Sequence, residues 1–258
     1  MIDLQRVKLG FKKYISNYNN QEDPGFNLKV VHISHVAENA MMIARQLGLS
    51  DEDINLAGLI GYLHDIGRFD ELKTFKRFDS VANDHALYGV KILFEGGLIK
   101  EFIDTDEYNN IIEKAVGNHN KKKIEDGLTE RELLHAKIIR DADKLDNFRV
   151  KEEETIAAIF PGIVKTKEEI ESSLISDNVY NAIVREECVD IKDRVYPLDY
   201  WICVLGFIFD INYKETLSII KENNYINILI DRFNYSISKD KMNNIRDIIN
   251  NYINKKLN

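Results

Sequence analysis

Apolar residues recur at intervals of three and four through most of the chain, the period of a helix rather than a strand. The spacing predicts a first helix over roughly residues 3–17, then a loop at Asn19-Asn20-Gln21-Glu22-Asp23-Pro24-Gly25 by its turn chemistry. A second helix has the inward stripe Ile33, Val36, Ala37, Ala40, Ala44 and Leu47, carries His32 one turn before Val36, and stops at Gly48. Ser50 offers an N-cap and Asp51-Glu52-Asp53 an acidic first turn to a third helix, apolar nearly all round, that delivers His64-Asp65 at its end. A polar loop over about 70–83 leads to Asp84-His85, which opens another apolar helix. After Gly96-Gly97 a further helix runs to His119 on the face made by Tyr108, Ile111, Ile112, Ala115 and Val116. Thr129 and Glu132 form a capping-box pair for the helix that holds Ile138, Ile139, Ala142, Asp143 and Leu145.

Beyond residue 150 the pattern changes. Phe160-Pro161-Gly162 breaks the chain, and a helical array over about 168–257 follows without a comparable set of chemical groups. An all-α fold is therefore expected, with one part over 1–150 and a helical extension over 151–258 packed on it. No internal repeat suggests a solenoid.

Composition narrows the function classes. The longest apolar run, Trp201 to Phe209, is about half of the ~20 residues that a spanning helix needs, so it reads as a buried helix. The first residues, Met1-Ile2-Asp3-Leu4-Gln5-Arg6, lack the pattern of a secretory leader, and a cytoplasmic location is expected. Cys188 and Cys203 have no metal-site or disulfide spacing and are expected to be reduced and structural. A formal net charge of −8 argues against general nucleic-acid binding, although a local basic pocket suffices for a small phosphorylated molecule.

Against this background four histidines and two aspartates stand out: His32, His64, Asp65, His85, His119 and Asp143, each where the helical pattern turns it inward. A carboxylate at the end of an apolar helix costs several kcal/mol unless it is paired or bound to a metal. Imidazole and carboxylate together suit iron, manganese, zinc or nickel better than magnesium or calcium. The six could hold two metal ions. Asp141 lies two residues before Asp143, which a helix points elsewhere, so only one of them can be a direct ligand. His35 and His135 lie on helix flanks and are expected to be structural or to support the ligands from behind without binding metal themselves.

The runs His32-Ile33-Ser34-His35-Val36-Ala37, Leu59-Ile60-Gly61-Tyr62-Leu63-His64-Asp65-Ile66-Gly67-Arg68 and Ala142-Asp143-Lys144-Leu145-Asp146-Asn147 resemble the HD superfamily of metal-dependent phosphohydrolases over about residues 25–150. The resemblance implies an HD-domain helical bundle with His32, His64, Asp65 and Asp143 as metal ligands, and favours Asp143 over Asp141. Asp84-His85 and Asn118-His119 look like the extra histidine positions of members that bind two metals. Two divalent transition-metal ions are then implied, iron or manganese foremost, with zinc, nickel or cobalt as alternatives.

On this reading Asp65 bridges the ions, a hydroxide between them is the nucleophile, and Arg68 clamps a phosphate oxygen through its planar fork, with a surface ion pair to Asp70 or Glu71 as the plainer role. The Lys121-Lys122-Lys123 run is either an anion attractor or solvated surface. The implied substrate is a nucleotide or another small phosphate ester, as a phosphomonoesterase or phosphodiesterase. Two other classes stay open: a mixed-valent diiron oxygenase of the same superfamily, and a noncatalytic nucleotide-binding module. Homodimer formation is left open.

Overall fold

The computed structural model describes residues 2–18, 24–75, 84–160 and 162–258. Most of the expected loops at 19–25 and 70–83, and Pro161, lie outside the described residues. The described residues are helical with no strand, and they form two compact units, Met1–Asp146 and Asn147–Asn258.

In the first unit, α1 (Leu4–Ile15) starts at Asp3, whose side chain accepts from the Gln5 N–H, and buries Val7, Gly10, Phe11 and Tyr14. α2 (Pro24–Gln46) ends as the sequence predicts, at Gly48. There φ is +69°, Leu49 N–H bonds Ala44 O, and Gly48 N–H bonds Arg45 O, the pairing of a Schellman stop. α3 (Asp51–Leu63) is capped by Ser50 and is buried from Leu56 to its end, as an apolar surface on every side requires. Its contact with α2 is backbone-close. A Cβ at Gly61 would lie 2.4 Å from Ala37 Cα, so glycine is required by proximity.

The same holds at the next turn. The sequence suggests that Gly67 lets the chain turn, but Gly67 is not among the glycines with positive φ. A Cβ there would instead meet His85 O at 2.5 Å and Gly89 N at 2.9 Å. Gly67 and Gly89 together let α5 (His85–Phe94) rest on the turn that follows α3, beyond the short α4 (Arg68–Phe75).

One expected element is divided. In place of a single helix from Gly97 to His119 there is a 3₁₀ turn over Leu98–Glu101, a break, and then α6 (Asn109–Asn118), with His119 just past its end. Gly97 at φ +71° starts the 3₁₀ turn, and the Asp104–Tyr108 segment holds the carboxylates that pair with Arg6 and Lys100. α7 (Glu130–Glu153) begins with the predicted capping box: Thr129 N–H donates to Glu132 Oε2 at 2.7 Å, and Glu132 N–H donates to Thr129 Oγ1 at 3.3 Å.

The second unit continues from the end of α7 through α8 (Ile156–Ile159), α9 (Lys167–Glu171), α10 (Asp177–Val184), α11 (Pro197–Leu205), α12 (Lys214–Glu222), α13 (Tyr225–Asp231) and α14 (Lys239–Leu257). The apolar run at 201–209 is α11 plus a 3₁₀ turn, with Trp201 fully buried against Phe233 and its indole N–H donating to Leu229 O. No helix among the described residues is long and apolar enough to cross a membrane.

Gly61→Ala should lower the thermal unfolding midpoint, because overpacking against backbone costs about 1–3 kcal/mol and exceeds the gain of about 1 kcal/mol in helix propensity. Gly117→Ala should be neutral or stabilising, since its Cβ would meet only Val90 Cγ2 at 3.6 Å. Equal unfolding midpoints for the two variants would contradict the α2–α3 packing argument.

Candidate metal centre

Five helices converge on one carboxylate, two from within their length and three from an end. α2 supplies His32, the end of α3 supplies His64 and Asp65, α5 opens with His85, α6 ends at His119, and α7 supplies Asp143. The six residues fall into two groups, His32 with His64 and Asp143, and Asp65 with His85 and His119. Within each group the potential ligand atoms lie within 4.8 Å of one another, so each could hold a metal ion.

Asp65 lies between the groups. Its Oδ1 is 3.4 Å from His85 Nε2 and 3.5 Å from His119 Nε2, whereas its Oδ2 is 3.4 Å from His64 Nε2 and 3.9 Å from His32 Nε2. One oxygen thus addresses each group.

Hydrogen bonds behind the rings fix which nitrogen faces inward. His64 Nδ1 lies 2.7 Å from Gly61 O, and His119 Nδ1 lies 2.7 Å from Val116 O. A carbonyl can only accept, so each Nδ1 carries the proton and each Nε2 turns a lone pair to the centre. In both cases the acceptor is the carbonyl three residues earlier, left over at the end of a helix. His32 is held by a carboxylate: Nδ1 lies 2.6 Å from Asp146 Oδ2, while Nε2 is 3.1 Å from Asp143 Oδ1. Asp143 and Asp146 are one turn apart on α7 and grip the ring at both nitrogens.

The donor atoms fit a cation on three counts. His64 Nε2 is buried with no hydrogen-bond partner, a costly state unless something accepts its lone pair. His85 Nε2 and His119 Nε2 face each other at 3.1 Å, close to the separation of two nitrogens bound at about 2.0–2.1 Å and near a right angle on one ion. The electrostatics agree. Burial and the Lys29 charge push the His32 ring toward neutrality, but the Asp143 and Asp146 carboxylates outweigh them and raise its pKa. A place that draws a proton against burial also draws a metal cation. Burial, aided by Arg68 and His119 and opposed by Asp65, pushes His85 down to about 2 and keeps it a neutral donor. Asp65 is held well below the usual carboxylate range: burial opposes this, and the Lys29 ammonium and the His64 and His119 rings prevail. Asp143 is lowered against desolvation by His32 and His64.

The remaining candidates separate cleanly. Asp141 is fully buried but belongs to neither group. His35 also lies outside both, and His135, fully buried rather than on a flank, pairs with Asp53 at 3.1 Å near the start of α3. Arg68 Nη1 bonds Glu71 Oε2 at 2.7 Å and its Nε is 3.7 Å from Asp65 Oδ1. That ion pair is not on the surface, because Glu71 is only 4% exposed. Lys121 and Lys123 are engaged locally with Glu125 and Asp126.

Three residues at the centre escaped the sequence reading. Asp146 was visible only as part of the quoted motif. Arg140, almost wholly buried, donates to the carbonyls of Asn118 at 2.9 Å and Lys121 at 2.5 Å and so holds the end of α6 that carries His119. Lys29, one turn before His32, donates from Nζ to Asp65 Oδ2 at 2.8 Å. Its spacing to His32 was the available signal.

Asp146→Ala should weaken metal affinity by about 10- to 100-fold, the usual cost of removing the partner that orients a ligating imidazole, while helicity is retained. His35→Ala should leave it intact. Metal titration against a competing chelator checks both, and equal affinities in the two variants would remove Asp146 from the site.

A model of the HD domain matches residues 30–147. A search of curated proteins found no match, and neither did a search of solved structures. The matched segment spans every residue of the two clusters, from His32 to Asp143, so the similarity to the HD domain covers the whole candidate centre.

Proposed function

We propose that this protein is a phosphohydrolase that uses two divalent transition-metal ions, iron or manganese foremost, to cleave a nucleotide or another small phosphate ester. The observation that carries the reading is the position of Asp65, with one oxygen toward each histidine pair, at 3.4 and 3.5 Å on one side and 3.4 and 3.9 Å on the other. That is the arrangement of a carboxylate shared by two ions. A single-ion centre would have no use for His85 and His119.

Bound ions would supply Lewis acidity toward phosphoryl oxygens and acidify water at neutral pH. The protein's own groups do the rest. His32, His64 and Asp143 would hold one ion, His85 and His119 the other, and Asp65 both. Asp146, Gly61 O and Val116 O lock three of the imidazoles in the donor tautomer, so little reorganisation is needed when the site fills. Arg68, oriented by the buried Glu71, presents its guanidinium beside Asp65 to a nonbridging phosphate oxygen. Neither serine nor cysteine is needed as a nucleophile.

Purified protein loaded with manganese or iron should bind two ions per chain and release phosphate from at least one phosphomonoester, phosphodiester or nucleotide. Asp65→Ala should lose hydrolysis and both ions and keep its helical circular dichroism. Oxygen uptake by the iron-loaded protein, with no phosphate released from any ester, would overturn the reading in favour of the diiron oxygenase. Ligand binding with neither reaction would favour the noncatalytic module.

Arg68→Ala should lower kcat/KM on the best phosphate substrate by about 10- to 100-fold, the size of one lost charge-assisted hydrogen bond, with metal content unchanged. Unchanged kinetics would reduce Arg68 to the ion-pair partner of Glu71.

A further inference from the structure

The two histidines of the second group are placed by different means. His32, His64 and His119 are each backed by a hydrogen bond at Nδ1, to Asp146, Gly61 O and Val116 O respectively. His85 Nδ1 has no such partner among the described residues. Its ring, the first of α5, stands where the start of that helix puts it. The 3.1 Å between His85 Nε2 and His119 Nε2 therefore depends on how the beginning of α5 is held against the end of α6.

One carboxylate oxygen touches both segments. Asp84 is the N-cap of α5, and its Oδ1 accepts from Ala86 N–H at 3.0 Å and Leu87 N–H at 3.3 Å. The same Oδ1 accepts from Asn120 Nδ2 at 2.9 Å. Asp84 directly precedes His85 and Asn120 directly follows His119, so this bond joins the two segments one residue away from each histidine. The bond is exposed, and an exposed contact between loose side chains stabilises little because both must be ordered to make it. Neither is loose here. The cap fixes Asp84, and the buried Arg140 holds the carbonyls of Asn118, His119 and Lys121 on both sides of Asn120. The first group stands apart from this tie: His32, His64 and Asp143 come from α2, the end of α3 and α7.

We infer that Asp84 and Asn120 are positioning residues for the second ion: their hydrogen bond sets the separation of His85 and His119, and with it the affinity for that ion alone. This rests on the two-ion reading and deepens it, because it makes the second ion separable from the first. The sensitivity comes from geometry. A binding constellation has to be held within about 0.5 Å of its working arrangement. With the tie cut, His85 loses the group that steadies it against His119, and part of the binding energy is spent on restoring the pair. Asp84 has a rival role as a negative charge that draws cations from a distance. In that role the charge matters and Asn120 does not.

The test titrates the full chain with manganese, followed by calorimetry and by electron paramagnetic resonance, which separates an isolated ion from a coupled pair. Wild-type protein should take up two ions. Asn120→Ala, which leaves the α5 cap intact, should weaken the second ion by about 10-fold, the lower end of the range for outer partners of a metal site, with the first ion unchanged. At an equal manganese supply its spectrum should show more isolated ion. Asp84→Asn keeps an oxygen for the cap and for Asn120 and loses only the charge, so both affinities should stay near wild type. Equal weakening of both ions in Asn120→Ala would mark a general loosening of the fold and overturn the inference, as would no change in either. A second ion weakened as much by Asp84→Asn as by Asn120→Ala, or more, would replace the clamp with a charge effect. Wild-type protein that never binds more than one ion would overturn the two-ion reading, and this inference with it.

Discussion

A carboxylate buried at the end of an apolar helix is the constraint around which the first unit is arranged. Asp65 is 4% exposed, and its desolvation would cost several kcal/mol if it stood alone. Its surroundings answer that cost with one ammonium, four imidazoles and a guanidinium, contributed by segments far apart in the chain. Removing any one of them leaves less to balance the charge, so the fold and the site are coupled through a single anion. A centre built this way has a standing affinity for cations before any metal arrives.

Glycine decides whether those segments can reach Asp65. At Gly61 and Gly67 the neighbouring backbone occupies the place of a side chain, Ala37 on α2 in the first case and His85 on α5 in the second. The first contact seats α2, and with it His32 and Lys29, against α3. The second seats the start of α5, so that His85 stands beside the carboxylate two residues before Gly67. Neither glycine has a left-handed backbone; both are needed because two main chains approach more closely than any Cβ allows.

This explains what could be read from the sequence and what could not. Helical period, caps and the spaced histidines report on single helices, and they were legible: the Gly48 stop, the Ser50 cap, the Thr129 capping box and all six residues of the two groups were visible in the chain. Contacts made across helices leave a weaker trace. Gly67 looks the same in sequence whether it bends a turn or admits a neighbouring helix. Lys29 and Arg140 look like ordinary surface cations until their partners, an aspartate 36 residues away and carbonyls about 20 away, are in place. The break before α6 was missed because Tyr108, Ile111, Ile112, Ala115 and Val116 keep the helical period up to the start of the disruption, and a face does not reveal that its first residue lies outside the helix.

The choice between Asp141 and Asp143 follows from the same geometry. Successive helical residues are rotated by about 100°, so residues two apart diverge while residues three apart return to nearly the same face. Asp143 and Asp146 therefore stand together, and the His32 ring fits between them with one nitrogen at 3.1 Å from the first and the other at 2.6 Å from the second. Asp141 belongs to a different face and cannot join them without unwinding α7. Because the Nδ1–H donates its hydrogen bond to Asp146, Nε2 is left with a lone pair for a cation, and because Asp143 stands beside Nε2, a cation drawn to that nitrogen finds a carboxylate already in place. One helical turn thus sets the tautomer of His32, its orientation and the neighbour that shares its charge.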